Sequence, residues 1–342
     1  MKQRDYYFDN AKFILIFLVV FGHLLQTFIK DHQFMSNLYK VIYTFHMPAF
    51  ILVSGYFAKG YNKTGYIPKI AKKLIFPYLL FQMIYSVFYY YLFNKSQLVI
   101  DPLNPHWSLW FLISLFCWNI MLLIFARFNS KGSLAAALLI GLGIGYIDWI
   151  SNYLSLSRTF VFFPLFLLGY FMNKEHFQQI TKPAFKLFAG LIFVFVFTGF
   201  YLNPDINYKW LLGSKPYAEL GAAALPALLN RLGFYLLSLV MVLSFFAFVP
   251  KRQYYFTHLG KNTLYVYLLH GFFVRMFRES HVQNYFKDPE TLLFLAVLSL
   301  FLTMILSSKT ATLFTQPLIE LEASRLRRFT ARIAARMNVN QT

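Results

Sequence analysis

Long apolar runs, broken only by short polar turns, leave this chain few folds to choose from. They recur at roughly 11–29, 39–58, 74–94, 107–126, 133–150, 159–173, 187–203, 230–249, 263–279 and 291–308. Each is about the length that a helix needs to cross the hydrocarbon of a bilayer. No water is available there to satisfy backbone N–H and C=O groups, so such a run closes its own hydrogen bonds as a helix. The expected fold is an all-α integral membrane protein, a single bundle of about ten transmembrane helices. Composition agrees, because 58% of the 342 residues are hydrophobic and only 13% are charged, a balance foreign to soluble domains. The first run is of full span length with no small-x-small cleavage site after it, so it is expected to be retained as a membrane helix.

A net charge of +19 could suggest a nucleic-acid partner, but the basic residues gather in short loops between apolar runs. No aromatic-basic platform or recognition helix accompanies them, so no nucleic acid is expected. In a membrane protein the distribution is first an orientation signal. With the N-terminus in the cytoplasm, most of the 32 lysines and arginines fall inside, five of them in the 59–73 loop, and both termini are cytoplasmic. Residues 1–310 are then the transmembrane domain and 311–342 a basic cytoplasmic tail. In that tail Leu326, Phe329, Ile333 and Met337 recur at helical spacing beside Arg325, Arg328, Arg332 and Arg336, the pattern of an interfacial helix on anionic lipid. The 203–229 stretch reads as an outer loop with a re-entrant or surface helix. Cys117 is the single cysteine, which excludes an intramolecular disulfide. The histidines lack metal-ligand spacing, and neither a nucleophile elbow nor a phosphate-cradling glycine loop appears. No metal and no permanently bound cofactor are expected.

Chemistry has to come from the few polar groups inside the runs. Asp9, Lys12 and His23 share one stripe of the first helix, Lys12 and His23 being about three turns apart. An ionisable group at such a depth usually faces a bundle interior or a watery cavity. His23 is therefore the first candidate, the alternative being an imidazole that merely bonds a neighbouring helix. His46 opens the second span near Pro48 and, by the antiparallel topology, lies in the same outer half as His23. His106, Trp107 and Trp110 stand at the outer start of the fourth span, where tryptophan is either an interfacial anchor or a face on which a sugar ring stacks. Arg158 begins the sixth span, as a snorkelling end residue or a ligand contact. Its Pro164 frees a backbone carbonyl and its Gly169 permits close helix approach. Tyr267 and His270 share a face of the ninth span. On the inner side Lys69, Lys72 and Lys73 lead into the third span, either as topology signals or as ammonium groups that meet phosphate.

The motifs Arg4…Asp9-Asn10-Ala11-Lys12…Gly22-His23, Phe45-His46-Met47-Pro48…Ser54-Gly55-Tyr56-Phe57, Lys72-Lys73…Pro77-Tyr78, Trp107…Trp110-Phe111, Phe163-Pro164…Gly169-Tyr170 and Asn262-Thr263-Leu264…Tyr267…His270 resemble the membrane acyltransferase 3 family. The fucose 4-O-acetylase-like branch and the intercellular-adhesion polysaccharide-modifying proteins are the most similar. Each motif is short, but six in order run through nearly the whole chain. The resemblance implies a multi-pass protein of the bacterial cytoplasmic membrane. It would take an acyl group, acetyl in the usual case, from cytoplasmic acyl-CoA and pass it to a hydroxyl of an envelope glycan or its lipid-linked precursor.

The family's essential histidine falls on His23, the general base. Its Arg-x-x-Arg pair before the third span is represented only by lysines, Lys69, Lys72 and Lys73, which with Asp9 and Lys12 would face the donor. Lysine lacks the bidentate fork of arginine. His46, His106, Trp107, Trp110, Arg158, Tyr267 and His270 would receive the acceptor. Acyl-CoA, the glycan and the bilayer are the expected partners, with polysaccharide-synthesis machinery as a further one. Two other classes compete: a transporter or flippase for the polysaccharide or its lipid-linked unit, and a structural subunit of a synthase complex.

Overall fold

Asp5 starts the first helix by accepting the Tyr7 N–H at 3.1 Å, and the helix, α1, runs Tyr6–Leu25. In this computed structural model the described residues are 5–222, 224–280, 282–285, 290–322, 324, 327, 328 and 331. The helices that follow are α2 (Gln33–Tyr56), α3 (Tyr66–Leu92), α4 (Trp110–Phe125), α5 (Ser130–Gly143) and α6 (Leu156–Phe171). After them come α7 (Lys174–Ile180), α8 (Pro183–Leu202), α9 (Lys209–Leu212), α10 (Ala224–Phe248), α11 (Thr263–Glu279), α12 (Glu290–Leu306) and α13 (Lys309–Glu320). A helix occupies every one of the ten expected stretches, and among the described residues there is no strand.

Local chemistry sets the boundaries. Asn129 caps α5, Asn173 caps α7, Ser308 caps α13, and Pro183 sits in the first turn of α8, where its missing N–H is not needed. Among the described residues five helices are long and apolar enough to cross a membrane: α1, α3, α6 with the turn before it, α8 and α10. Taken together, α12 and α13 would make a sixth, bent by 62° at a short break. The helices α4 and α5 are apolar but shorter. The 24-residue α2 is diluted by buried Asn37, Lys40, Thr44 and His46. The 203–229 stretch holds the short α9, the 3-10 turn Ala218–Leu220 and, from Ala224 on, the first residues of α10. The proposed amphipathic tail helix lies almost wholly outside the described residues.

Two apolar clusters meet along α1 and α2. One gathers the C-terminal part of α1 with α3, α4, α6, α11 and α12; the other joins the start of α1 to α8 and α10. Helices α2 and α6 approach backbone to backbone. A Cβ on Gly55 would lie 1.9 Å from the Phe166 carbonyl oxygen, and one on Gly169 would lie 1.9 Å from that of Leu52. Small residues that let backbones meet in this way replace the hydrophobic drive that lipid cannot supply.

The start of α1 is tied to the chain before α11. Asn10, fully buried, donates to the carbonyls of Pro250 and Arg252 at 2.8 Å each and accepts from Thr257 Oγ1 at 2.6 Å. Next to it Asp9, buried inside the bundle, pairs with Lys12 at 2.9 Å. The Asp9–Lys12 motif is thereby a joint between α1 and the 3-10 segment Tyr255–Lys261.

Candidate functional site

One stripe of α1 organises two cavities. Lys12, Ile16, Val19, His23 and Gln26 recur at intervals of four, three, four and three, the period that keeps side chains on one helix face. Lys12, Ile16 and Val19 line a hollow of about 190 Å³. Val19, His23 and Gln26 line a second of about 170 Å³. The two hollows share Val19, Met47 and Tyr267 as a common wall. A larger hollow of about 360 Å³, between Asp5, Tyr6, Lys174 and Lys251, shares no residue with either.

The second cavity collects most of the candidates. His23 and His270 stack with ring centroids 5.5 Å apart and planes 16° from parallel, and Trp107 lies 4.1 Å from His23. Tyr43 Oη is 3.1 Å from His23 Nδ1, and its ring meets that of His46 edge-on at 4.5 Å. Arg158 enters from the first turn of α6, donates through Nε to the Leu212 carbonyl at 3.3 Å and sits 5.1 Å from the Trp110 ring. Tyr267 donates to the Ser108 carbonyl and so ties α11 to the loop that carries Trp107.

Tautomers follow from these partners. His46 Nδ1 faces the Ile42 carbonyl at 2.8 Å and His270 Nδ1 faces that of Val266 at 2.9 Å. A carbonyl oxygen only accepts, so each Nδ1 carries a proton, and in the neutral imidazole each Nε2 keeps its lone pair. Among the described residues His270 Nε2 is buried without a hydrogen-bond partner. The cavity is thus walled by aromatic rings and offers hydrogen-bond acceptors that suit the hydroxyl groups of a ligand.

His106 is placed differently. It is not among the lining residues; its Nε2 is 2.8 Å from Ser86 Oγ, and its N–H donates to Gln82 Oε1 at 2.9 Å. Gln82 in turn donates to the carbonyls of Asp101 and Asn104, at 2.6 and 3.0 Å. Burial, with Lys95 and Arg275 adding to it, pushes the His106 pKa down to about 4, so this imidazole is neutral and serves as a clamp. The clamp holds the loop before α4 against α3, and with it the backbone that presents Trp107.

On the lysine side the structure also divides the candidates. Lys69, Lys72 and Lys73 are all exposed, but only Lys73 joins Lys12, Ser54 and Thr263 in lining the first cavity. Asp9 reaches this region through its pair with Lys12. Among the described residues no group of three His, Cys, Asp or Glu side chains could hold a metal ion.

Five residues at the site escaped the sequence reading, Tyr43 beside His23 among them. Tyr39 stacks on Tyr43 at 3.9 Å, and Gln26 lines the cavity. Arg275 and Arg278 lie 4.9 and 5.2 Å from the Trp107 ring. A signal for two of them was present: Gln26 continues the Lys12–His23 stripe, and Arg278 follows His270 by eight residues on one helix face.

A family model described as an acyltransferase domain matches residues 5–308. The nodulation protein NolL of Sinorhizobium fredii (strain NBRC 101917 / NGR234) is 32% identical over 186 residues, which is 49% of this chain and 49% of that protein. NolL of Mesorhizobium japonicum (strain LMG 29417 / CECT 9101 / MAFF 303099) is 50% identical over 62 residues, 17% of each chain. The chain thus spans about half the length, or less, of the curated relatives that it matches. No solved structure matches.

Proposed function

Because the chain belongs to the acyltransferase 3 family, we propose that it is a membrane O-acyltransferase with a ten-span topology and both termini in the cytoplasm. It takes an acyl group, acetyl in the simplest case, from cytoplasmic acyl-CoA and transfers it to a sugar hydroxyl of a cell-envelope polysaccharide or its lipid-linked precursor. The observation that carries this reading is the single α1 stripe. It runs from Lys12 beside one cavity to His23 inside the next, and the two cavities share a wall. Lys12 and His23 are about 16 Å apart along the helix at 1.5 Å per residue, a span that the pantetheine arm of coenzyme A can cover.

This mechanism uses the tautomer of His23 whose Nδ1–H donates to Tyr43 Oη, 3.1 Å away, which leaves the Nε2 lone pair as the general base. A sugar hydroxyl gives its proton to Nε2 while its oxygen forms a bond to the thioester carbonyl carbon. The carbonyl electron pair moves to oxygen, and the charge that develops there is stabilised by a preorganised donor, for which Arg158 is the cation on the cavity wall. As the carbonyl re-forms, the C–S bond breaks, the thiolate leaves, and it takes up the proton held by His23. Ester and free coenzyme A result, and His23 returns neutral. Trp107 supplies an aromatic face for the pyranose ring, and the Nε2 atoms of His46 and His270 accept from its other hydroxyls.

Purified protein given radiolabelled acetyl-CoA and envelope glycan should move label to the glycan. If glycan crosses a proteoliposome membrane without being labelled, the protein is an exporter. If neither happens, it is a structural subunit of a larger assembly.

A further inference from the structure

The residue after α1, Gln26, has an amide whose orientation can be read from its partner. Arg278, in the last turn of α11, donates through Nη2 to the His23 carbonyl at 2.6 Å and to Gln26 Oε1 at 2.8 Å. A guanidinium only donates, so the oxygen of the amide is the atom that faces it and the amino group is turned the other way. Gln26 lines the His23 cavity, and among the described residues its Nε2 has no hydrogen-bond partner in the protein. The His23 carbonyl is one that the helix itself leaves open. The Thr27 N–H, which would close the next turn, goes to Leu24 at 3.1 Å. Arg278 fills that vacancy while lying 5.2 Å from Trp107, the ring packed on His23. One guanidinium thereby fixes the backbone of His23, its aromatic neighbour and the Gln26 amide.

The imidazoles of the cavity present Nε2 acceptors, which match hydroxyl donors of a sugar. A sugar oxygen that must itself accept a hydrogen bond needs a donor; beside Arg158 and the Tyr39 hydroxyl, the cavity offers the Gln26 amino group, the one donor set by a partner that also holds the His23 backbone. We propose that Gln26 is an acceptor-binding residue whose Nε2 donates to a sugar oxygen next to the hydroxyl being acylated, and that Arg278 is the positioning residue that sets this amide. The substrate class that follows is a sugar with oxygens on neighbouring ring carbons, one giving its proton to His23 and the other accepting from Gln26. This rests on the acyltransferase reading above.

Gln26→Glu separates function from structure. The carboxylate is isosteric, keeps and strengthens the Arg278 contact, and stays charged beside the guanidinium, but it has no N–H for the sugar. With radiolabelled acetyl-CoA and host envelope glycan as substrates, the glycan concentration giving half-maximal rate should rise by about tenfold or more. The donor Michaelis constant and the melting temperature in detergent should be unchanged or, for melting, higher. Gln26→Met, which keeps length without an amide, should raise the glycan requirement in the same way and serves if the charged variant does not fold. Arg278→Lys should do likewise, and its effect should be much less than additive with that of Gln26→Met, because both act on one contact. Unchanged glycan dependence in folded Gln26→Glu or Gln26→Met, with wild type active, overturns this assignment alone and leaves Gln26 as a structural partner of Arg278. A wild-type protein that transfers no label overturns the acyltransferase reading and this inference together.

Discussion

Replacing His23 with alanine should lower acyl transfer by about a hundredfold or more, the range that a positioned general base supplies. The variant should still insert and elute as folded protein in detergent, since buried Leu15, Val20, Leu24 and Leu25 hold α1 in place. Near-normal turnover of radiolabelled acetyl-CoA in that folded variant would remove His23 from the mechanism. The donor end gives a graded expectation. Lys12→Met and Lys73→Met should each raise the Michaelis constant for acyl-CoA by about five- to tenfold, roughly the effect of losing one ammonium contact to phosphate. Lys69→Met and Lys72→Met should do less, because neither side chain lines the cavity. Equal effects at all four positions would mean that the donor is held by the field of the whole loop. His23, His46, Trp107, Trp110, Arg158, Tyr267 and His270 were legible because a polar or amphipathic group in an apolar run is costly unless it is used. Tyr39, Tyr43 and the Arg275–Arg278 pair were not, since tyrosine is common in this chain and an arginine at a helix end reads as an anchor. What makes these residues part of the site is a contact across helices, and spacing along one helix cannot show it. His106 shows the reverse, a polar residue at a promising place whose partners, Ser86 and the Gln82 amide, make it a clamp.

Between helices the decisive contact is the crossing of α2 and α6. Alanine at Gly55 or Gly169 puts a methyl group 1.9 Å from a backbone oxygen that cannot turn aside. The helices must then separate, and overpacking of this kind typically costs about 1–3 kcal/mol. Either variant should melt earlier in detergent and lose activity through its effect on α2, which carries Tyr43 and His46, without altering the residues of the cavity. Wild-type melting of Gly169→Ala would show that the two backbones are not held together as described. At this scale the sequence was most readable: every expected apolar stretch contains a helix, because backbone satisfaction in hydrocarbon leaves no alternative. Less readable were the ends. The expected first span, 11–29, starts five residues late, because Asp5 caps the helix before the apolar run begins. The end of α5 breaks into 3-10 turns at 144–146 and 148–150, where Gly143 and Gly145 interrupt the apolar run. The bend of 62° between α12 and α13 falls at Ser307 and Ser308, with Ser308 capping the new helix.

For the molecule as a whole the proposed reading carries a sidedness. Sealed, right-side-out proteoliposomes with acetyl-CoA inside and glycan outside should yield acetylated glycan outside, while free coenzyme A accumulates within. Product that forms only when both substrates share the inner compartment would place acylation before export. The all-helical architecture followed from the apolar pattern, but the pairing of cavities did not. It depends on which faces of α1, α2 and α11 meet, and that is fixed by contacts such as Asn10 with Pro250 and Gly55 with Phe166. The wall between the cavities has a further consequence for the cell. A protein that passes acetyl groups from one face of a membrane to the other also offers a route along which protons and small ions could run down their gradients. Val19 and Met47 make that wall oily, and Tyr267, its remaining shared member, has its hydroxyl engaged with the Ser108 carbonyl. An apolar partition of this kind disfavours a continuous file of water between the lysines and the histidines, which is what the proposed transfer requires of a membrane that must hold its gradients.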